Sequence, residues 1–262
     1  MNPGARADTG DDDELVHVDV SDAVATITLD SPANRNALSS RLVTDLNRAL
    51  DRAETEVAAG SVRAIVLTHV APAFCAGADL KERAAGVPDS RPIVGAFVRL
   101  MDADVPTVAA VKGPVRAGGI GLMASCDLVV VQRDVGFALT EVRIGVAAAI
   151  ISVPILRRAS GSRLAAAFLT GEPFDAPAAL EVGLVTHVAD DVDATVAALC
   201  DGIRMGAPAA VRATKRLLRE VPGTPRDEAF ERMRRLSDEL FAGSEAAEGI
   251  AAYLERRPPS WT

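Results

Sequence analysis

AFCAGADLKE, residues 73–82, places a run of very small side chains between two stretches of different character. Upstream, RAIVLTHV (63–70) is a β-branched apolar run that reads as a buried strand. Downstream, Asp79 followed by Glu82 has the form of a capping box and opens a helix. Such a junction leaves backbone N–H groups unpaired where the helix starts, and negative charge is favoured there. Ala76, Gly77 and Ala78 leave room for another molecule to reach those groups. GPVRAGGIGLMASCDLVVV (113–131) repeats the arrangement after a strand, TVAAV (107–111). Two such turns facing one another would form an oxyanion hole, where losing one donor costs about 3–4 kcal/mol of transition-state stabilisation. Spacing alone leaves each turn open to a purely structural role. GPVRAGGIG lacks the G-x-G-x-x-G order of a dinucleotide site, and the chain has no Walker A lysine pattern.

Outward from these turns the chain alternates strand and helix. LVHVDVSDAVATITL (15–29) predicts a hairpin broken at Ser21-Asp22. SPANRNA (31–37) is a polar loop. Leu42, Val43, Leu46, Ala49, Leu50 and Ala53 mark one face of a helix with Ser39 as N-cap. AAGVPDSRP (84–92) reads as a mobile loop, followed by a helix around 93–101. After residue 150 strands nearly cease: two short helices fall in 161–182, GLVTHV (183–188) is a last strand, and ERMRRLSDEL belongs to a helix. Phe230, Met233, Leu236, Leu240 and Phe241 form its apolar stripe. One α/β domain with a helical C-terminal portion is the economical reading.

Composition narrows the function. Of 262 residues 49% are hydrophobic but only 3% aromatic, so the core must be built from Ala, Val, Leu and Ile. The net charge of −8 argues against a nucleic-acid partner while leaving room for a local basic pocket. Cys75, Cys126 and Cys200, with no CxxC pair, read as reduced thiols of a cytoplasmic protein. The most apolar run, VAAAIISVPIL (146–156), is shorter than the roughly 20 residues of a spanning helix, so no membrane segment is expected. Residues 1–14 lack the apolar region of a secretory signal and read as a disordered acidic tail. His17, His69 and His187 lie in strand-like stretches without metal-ligand spacing, and no metal site is expected. No GxSxG elbow points to a serine hydrolase. Cys75 falls within the first small-residue turn and could line a pocket there, although a thiol in an apolar setting is more often inert.

AFCAGADLKE, GPVRAGGIGLMASCDLVV and FALTEVRIGV, in this order and spacing, resemble the crotonase superfamily of enoyl-CoA hydratases and isomerases. The resemblance extends from about residue 15 to the end and includes NRNALS (34–39) and SEAAEGIAAYLERRPPSW. It implies stacked β-β-α turns over 15–200 and a helical oligomerisation region over 201–262 that makes homotrimers, often paired into homohexamers. It implies acyl-CoA thioester substrates and no metal or redox cofactor, CoA being part of the substrate. The oxyanion donors would be the N–H groups of Ala78 and Gly118. Ala76, within the Ala76–Lys81 stretch that includes Gly77, Asp79 and Leu80, lies where the family contacts the CoA adenine. Arg35 and Lys81 lie where basic side chains meet CoA phosphates or ribose, although either could equally be a solvated surface cation.

The same resemblance makes Glu141 a catalytic carboxylate; from spacing alone it could as well cap the next element or pair with Arg143. Hydratases of the family commonly use a second glutamate three residues after the oxyanion glycine, and here that position is Gly121. The departure keeps three readings open: an enoyl-CoA hydratase, a Δ3,Δ2-enoyl-CoA isomerase using one glutamate, and a catalytically silent acyl-CoA binder. A hydratase subgroup related to methylglutaconyl-CoA hydratases also includes members without the first glutamate. AAAI (147–150) replaces a Pro-Gly-rich turn, and Arg116 stands where the family has a small or apolar residue.

Overall fold

The structure, a computed structural model, describes residues 14–86 and 89–262. The expected acidic tail, apart from Glu14, and the centre of the 84–92 loop lie outside these residues.

The first strands, β1 (Val16–Ser21) and β2 (Val24–Leu29), form the expected hairpin. Its turn sits one residue later than the sequence suggests, at Asp22 and Ala23, which both take positive φ (48° and 58°), as a two-residue hairpin loop requires. Helix α1 (Ser40–Ala58) starts where Ser39 accepts a hydrogen bond from Leu42 N, and the six stripe residues are all buried. Then follow β3 (Ala64–His69), α2 (Leu80–Ala85), α3 (Arg91–Asp102) and β4 (Thr107–Val111). The short β5 (Val115–Arg116) leads into α4 (Gly118–Ala124), β6 (Leu128–Gln132) and β7 (Gly136–Ala138). Helices α5 (Ala149–Arg158) and α6 (Gly161–Thr170), strand β8 (Phe174–Asp175), α7 (Ala176–Glu181) and β9 (His187–Ala189) complete the core. The remainder is helical: α8 (Val192–Met205), α9 (Pro208–Glu220), α10 (Arg226–Phe241) and α11 (Ser244–Glu255).

The main sheet has the order β1-β2-β3-β4-β6-β9, parallel except for the opening hairpin. Side chains alternate across it, as strand geometry demands. Ile27, Ile65 and Leu67 join α1 in the principal core, whereas Val66, Val108, Ala110 and Val130 meet Val192, Val196 and Cys200 of α8 on the other face. A second, smaller sheet, β5-β7-β8, was not legible in the sequence because its strands are only two or three residues long. Isolated bridges Cys75↔Val115 and Leu38↔Ala78 extend it, so both small-residue turns belong to one layer.

The C-terminal region is tied to this core by a buried lysine that sequence reasoning passed over. Lys215 of α9 is 5% exposed, and its Nζ lies 2.8 Å from Asp127 Oδ2 and donates to Val105 O at 3.0 Å. The same Asp127 oxygen accepts from Thr107 N at 2.8 Å. Burial lowers the Lys215 pKa, and Asp127 opposes the shift. At the far end Arg257 pairs with Glu248, and Trp261 Nε1 donates to Met205 O at 3.1 Å. The α10 stripe is only partly covered: Phe230 and Phe241 are 71% and 73% exposed. Among the described residues no helix is long and apolar enough to cross a membrane.

Lys215→Ala leaves Asp127 without its cation. The Asp127 side chain keeps 26% of its exposure, so the expected destabilisation is about 3 kcal/mol, the lower end for breaking a buried pair. Urea unfolding of the two proteins measures it.

Candidate active site

Backbone hydrogen bonds stitch the two turns together. Phe74 N donates to Pro114 O (3.1 Å) and Arg116 N to Cys75 O (3.0 Å). Leu38 N donates to Gly77 O (2.7 Å), and Ala117 N to Ala138 O of β7 (3.0 Å). The approach is so close that glycine is required. A methyl group on Gly119 would stand 2.7 Å from Cys75 Cβ, and one on Gly77, where φ is +90°, would stand 2.8 Å from Ala117 Cβ. Ala117 itself has φ 48° and ψ −119°, a conformation that costs an alanine roughly 1–3 kcal/mol. It turns the chain sharply from β5 into α4. A methyl on Gly118 would lie 3.7 Å from Ala78 N, so the two candidate donors are neighbours. Ala78 and Gly118 are partly exposed, and among the described residues neither N–H donates to a backbone carbonyl.

Strand β7 brings in the third element. Its Ala138 holds Ala117, and three residues on, Glu141 opens a 3-10 turn (Glu141–Ile144). Glu141 is half-buried, and its Oε2 is fully buried without a hydrogen-bond partner. Burial pushes its pKa above the ordinary carboxylate value, and its own backbone N–H opposes this weakly. The alternative pairing with Arg143 does not occur: that guanidinium donates to Thr170 O (2.9 Å) and Glu172 (2.8 Å).

Gly121 is buried in α4, and the space a side chain would need is already filled. A Cβ there would lie 2.6 Å from Ile151 Cγ2 and 2.8 Å from Ile151 Cβ. A carboxylate side chain at 121 would therefore collide with Ile151 as the chain is packed. The AAAI segment runs into helix α5, and α5 packs its Ile151 against that position.

The candidate CoA residues divide by exposure. Arg35, Leu80 and Lys81 are exposed, and among the described residues neither cation makes an ion pair through its side chain. Arg35 O accepts from Ala76 N (3.0 Å), which places the NRNALS loop beside the first turn. Ala76 is partly exposed, and Gly77 is buried, its N–H donating to Cys75 Sγ (3.4 Å) and its carbonyl taken by Leu38 N. Asp79 caps α2, accepting from Lys81 N (2.9 Å) and Glu82 N (3.3 Å). The capping box is only half formed, because Glu82 reaches away to Ser40 N and Oγ, both 2.8 Å, at the start of α1.

The remaining candidates are structural. Arg116 Nη1 donates to Gly136 O (2.6 Å) and Val115 O (3.0 Å), bracing β5 against β7. His69 Nε2 faces Lys112 N at 2.9 Å, and burial lowers its pKa. His17 sits by Asp30 and His187 by Thr186. Cys75 is fully buried under the turns and its thiol is pushed up to about 12, so it is inert.

The sequence profile of the enoyl-CoA hydratase/isomerase family matches residues 19–262. The chain belongs to this family. An enoyl-CoA hydratase structure from Mycobacterium avium is 41% identical, with a TM-score of 0.73, covering 95% of this chain and 100% of that one. One from Mycobacterium smegmatis superposes with a TM-score of 0.88 at 30% identity, covering 94% and 98%. The 2,3-dehydroadipyl-CoA hydratase of Escherichia coli is 33% identical over 246 residues, 91% of this chain and 94% of that one. The two-sheet arrangement is thus the crotonase fold that the motifs implied.

Two substitutions probe the site's construction. Ala78→Pro removes one of the two candidate donors and is expected to abolish turnover while circular dichroism remains native. Near-normal turnover in the folded variant would remove this turn from the mechanism. Gly121→Ala is expected to destabilise by about 1–3 kcal/mol through overpacking against Ile151, with Ile151→Ala in the same chain relieving it; thermal melts of the single and double variants decide.

Proposed function

We propose that the protein is an enoyl-CoA hydratase acting on a 2-enoyl-CoA thioester, with no resident metal or redox cofactor. The observation that carries this reading is the half-buried Glu141 carboxylate, its Oε2 buried without a partner, three residues past the strand that also holds the Ala117–Gly118 turn. The thioester oxygen accepts from the Ala78 and Gly118 N–H groups. Glu141 takes a proton from water as the hydroxide adds to C3, and the electron pair moves through C2 to the thioester oxygen. The protonated Glu141 then returns its proton to C2 as the enolate collapses, so one water is added in balance. Arg35 and Lys81 supply positive charge for the CoA phosphates, which the chain's net charge of −8 otherwise disfavours. The names of the relatives support water addition.

A second reading has its own observation. Ile151 fills the place of a second carboxylate at Gly121, so Glu141 alone carries protons, and a single base moving a proton from C4 to C2 would make the enzyme a Δ3,Δ2-enoyl-CoA isomerase. Incubation with crotonyl-CoA and 3-hexenoyl-CoA in deuterated water, with product masses, separates the two. Tight thioester binding without turnover of either substrate would favour a silent binder.

Glu141→Gln keeps shape but cannot take a proton, and the expected loss is about 10²–10⁴-fold in kcat with binding retained. In the wild type Glu141 must be ionised to act as base. Because its pKa is raised, kcat/KM should climb with pH through a limb above the ordinary carboxylate range, and the limb should vanish in the variant. The stability sign is opposite. The neutral acid's contribution is complete below the unfolded-state pKa and is lost as pH rises through the folded-state one. Glu141→Gln should therefore be at least as stable as wild type at pH 7 and lose that advantage in acid. Retained activity in the variant would remove Glu141 from the role of base.

The assembly proposed is a homotrimer, or two trimers paired. Phe230, Phe241, Tyr253 and Leu254 on the C-terminal helices are each more than 70% exposed in the single chain, an apolar face that a monomer would leave in water. Light scattering should give three or six times the 27.3 kDa chain mass; a monomer at micromolar concentration would refute it.

A further inference from the structure

Helix α5 touches the site at both ends and in the middle. Near its start, Val146 N donates to Glu141 O (3.1 Å), tying the helix approach to the catalytic 3-10 turn. In its first turns Ile151 closes on Gly121 of α4. At its last residue, Arg158 Nη1 donates to Cys126 O (2.5 Å) and Ala124 O (3.2 Å). The Ala124 carbonyl is the last of α4, the helix that presents Gly118 at its start, and Cys126 lies just past its cap at Ser125. The Ala124 carbonyl is one of the helix's orphan C-terminal acceptors, and a cation suits that end. The next residue, Asp127, is fixed in turn by Lys215. Arg158 Nη2 reaches Asp127 O at 3.5 Å, and its buried Nε alone has no partner, so the guanidinium's hydrogen bonds all go to this end of α4.

We propose that Arg158 is a positioning residue for the reaction, locking the end of α5 to the end of α4 and so fixing where the Gly118 N–H stands relative to the Glu141 carboxylate. Helix α4 spans only seven residues, and a short rod held at its far end cannot pivot about its start. With Arg158 removed, the end of α4 loses these bonds while its middle stays packed against Ile151 and Cys75, and the shift that follows passes along the short helix to Gly118. The thioester oxygen would then be gripped by Ala78 while Gly118 strays. This proposal rests on the oxyanion role given above to Ala78 and Gly118.

The test uses the full-length protein and a conjugated 3-arylacryloyl-CoA, whose absorption moves to the red when its thioester oxygen is polarised by hydrogen bonds. Wild type is expected to show the red shift and to turn over crotonyl-CoA or 3-hexenoyl-CoA. Arg158→Gln is expected to lose about 10- to 100-fold in kcat, as small misplacements of reacting groups do, with KM nearly unchanged and the red shift diminished. Arg158→Lys, which reaches one carbonyl but not both, should recover part of both signals. A purely structural role would lower the melting temperature and the active fraction while leaving kcat per folded molecule and the red shift intact, and that result overturns the proposal. If Arg158→Gln does not fold, Arg158→Lys decides alone, and wild-type kcat and red shift there overturn the proposal. A wild type that binds the chromophore without a red shift overturns the oxyanion reading itself, and with it this proposal.

Discussion

The close approach of two backbone turns is the constraint on which the rest depends. Gly77 meets Ala117, and Gly119 meets Cys75, at separations that leave no space for an additional methyl group at either glycine. Backbone can come this near to backbone only where side chains are absent or minimal. The second sheet serves that approach: its bridges through Cys75 and Val115 hold the turns in register, and β7 presses Ala117 into a conformation it would not adopt alone. Hydrogen bonds on either side, from Arg116 N to Cys75 O and from Ala117 N to Ala138 O, offset the strain at Ala117.

Glu141 is the converse case. Polar groups inside proteins normally find partners, yet one oxygen of this carboxylate is buried without any. Arg143 is close in sequence and is drawn off to Thr170 and Glu172 on the far side of the turn. The arrangement keeps the carboxylate poorly solvated and basic, at a cost to stability that a purely structural glutamate would have no reason to bear. Unpaired buried groups and perturbed carboxylates gather at functional sites for this reason.

What the sequence made legible was local. The Ser39 cap and the α1 stripe depend on residues a few positions apart, and both stand as expected. The two small-residue turns and Glu141 were found through motif spacing, although their mutual approach depends on strands of two and three residues that carry no periodicity of their own. The links that escaped notice were long-range. Lys215 reads as one more charge in a polar helix, and nothing nearby in the chain announces that it ends beside Asp127, 88 positions earlier. Glu82 was misassigned for the same reason: its spacing from Asp79 suits a capping box, but Ser40 of another helix competes for it and prevails. Gly121 was visible as a departure, whereas the isoleucine that fills its place lies on a different helix.

That isoleucine also shapes the routes open to the sequence over time. Adding a side chain at 121 first would overpack the α4–α5 contact, and trimming Ile151 first would leave a void that typically costs about 2–5 kcal/mol. Each single step is unfavourable, although the pair together could be accommodated, which is the signature of strongly coupled positions. The chain thus sits on an island of sequence space from which a two-carboxylate site cannot be reached by one tolerated change. What keeps a side chain from 121 is packing rather than chemistry.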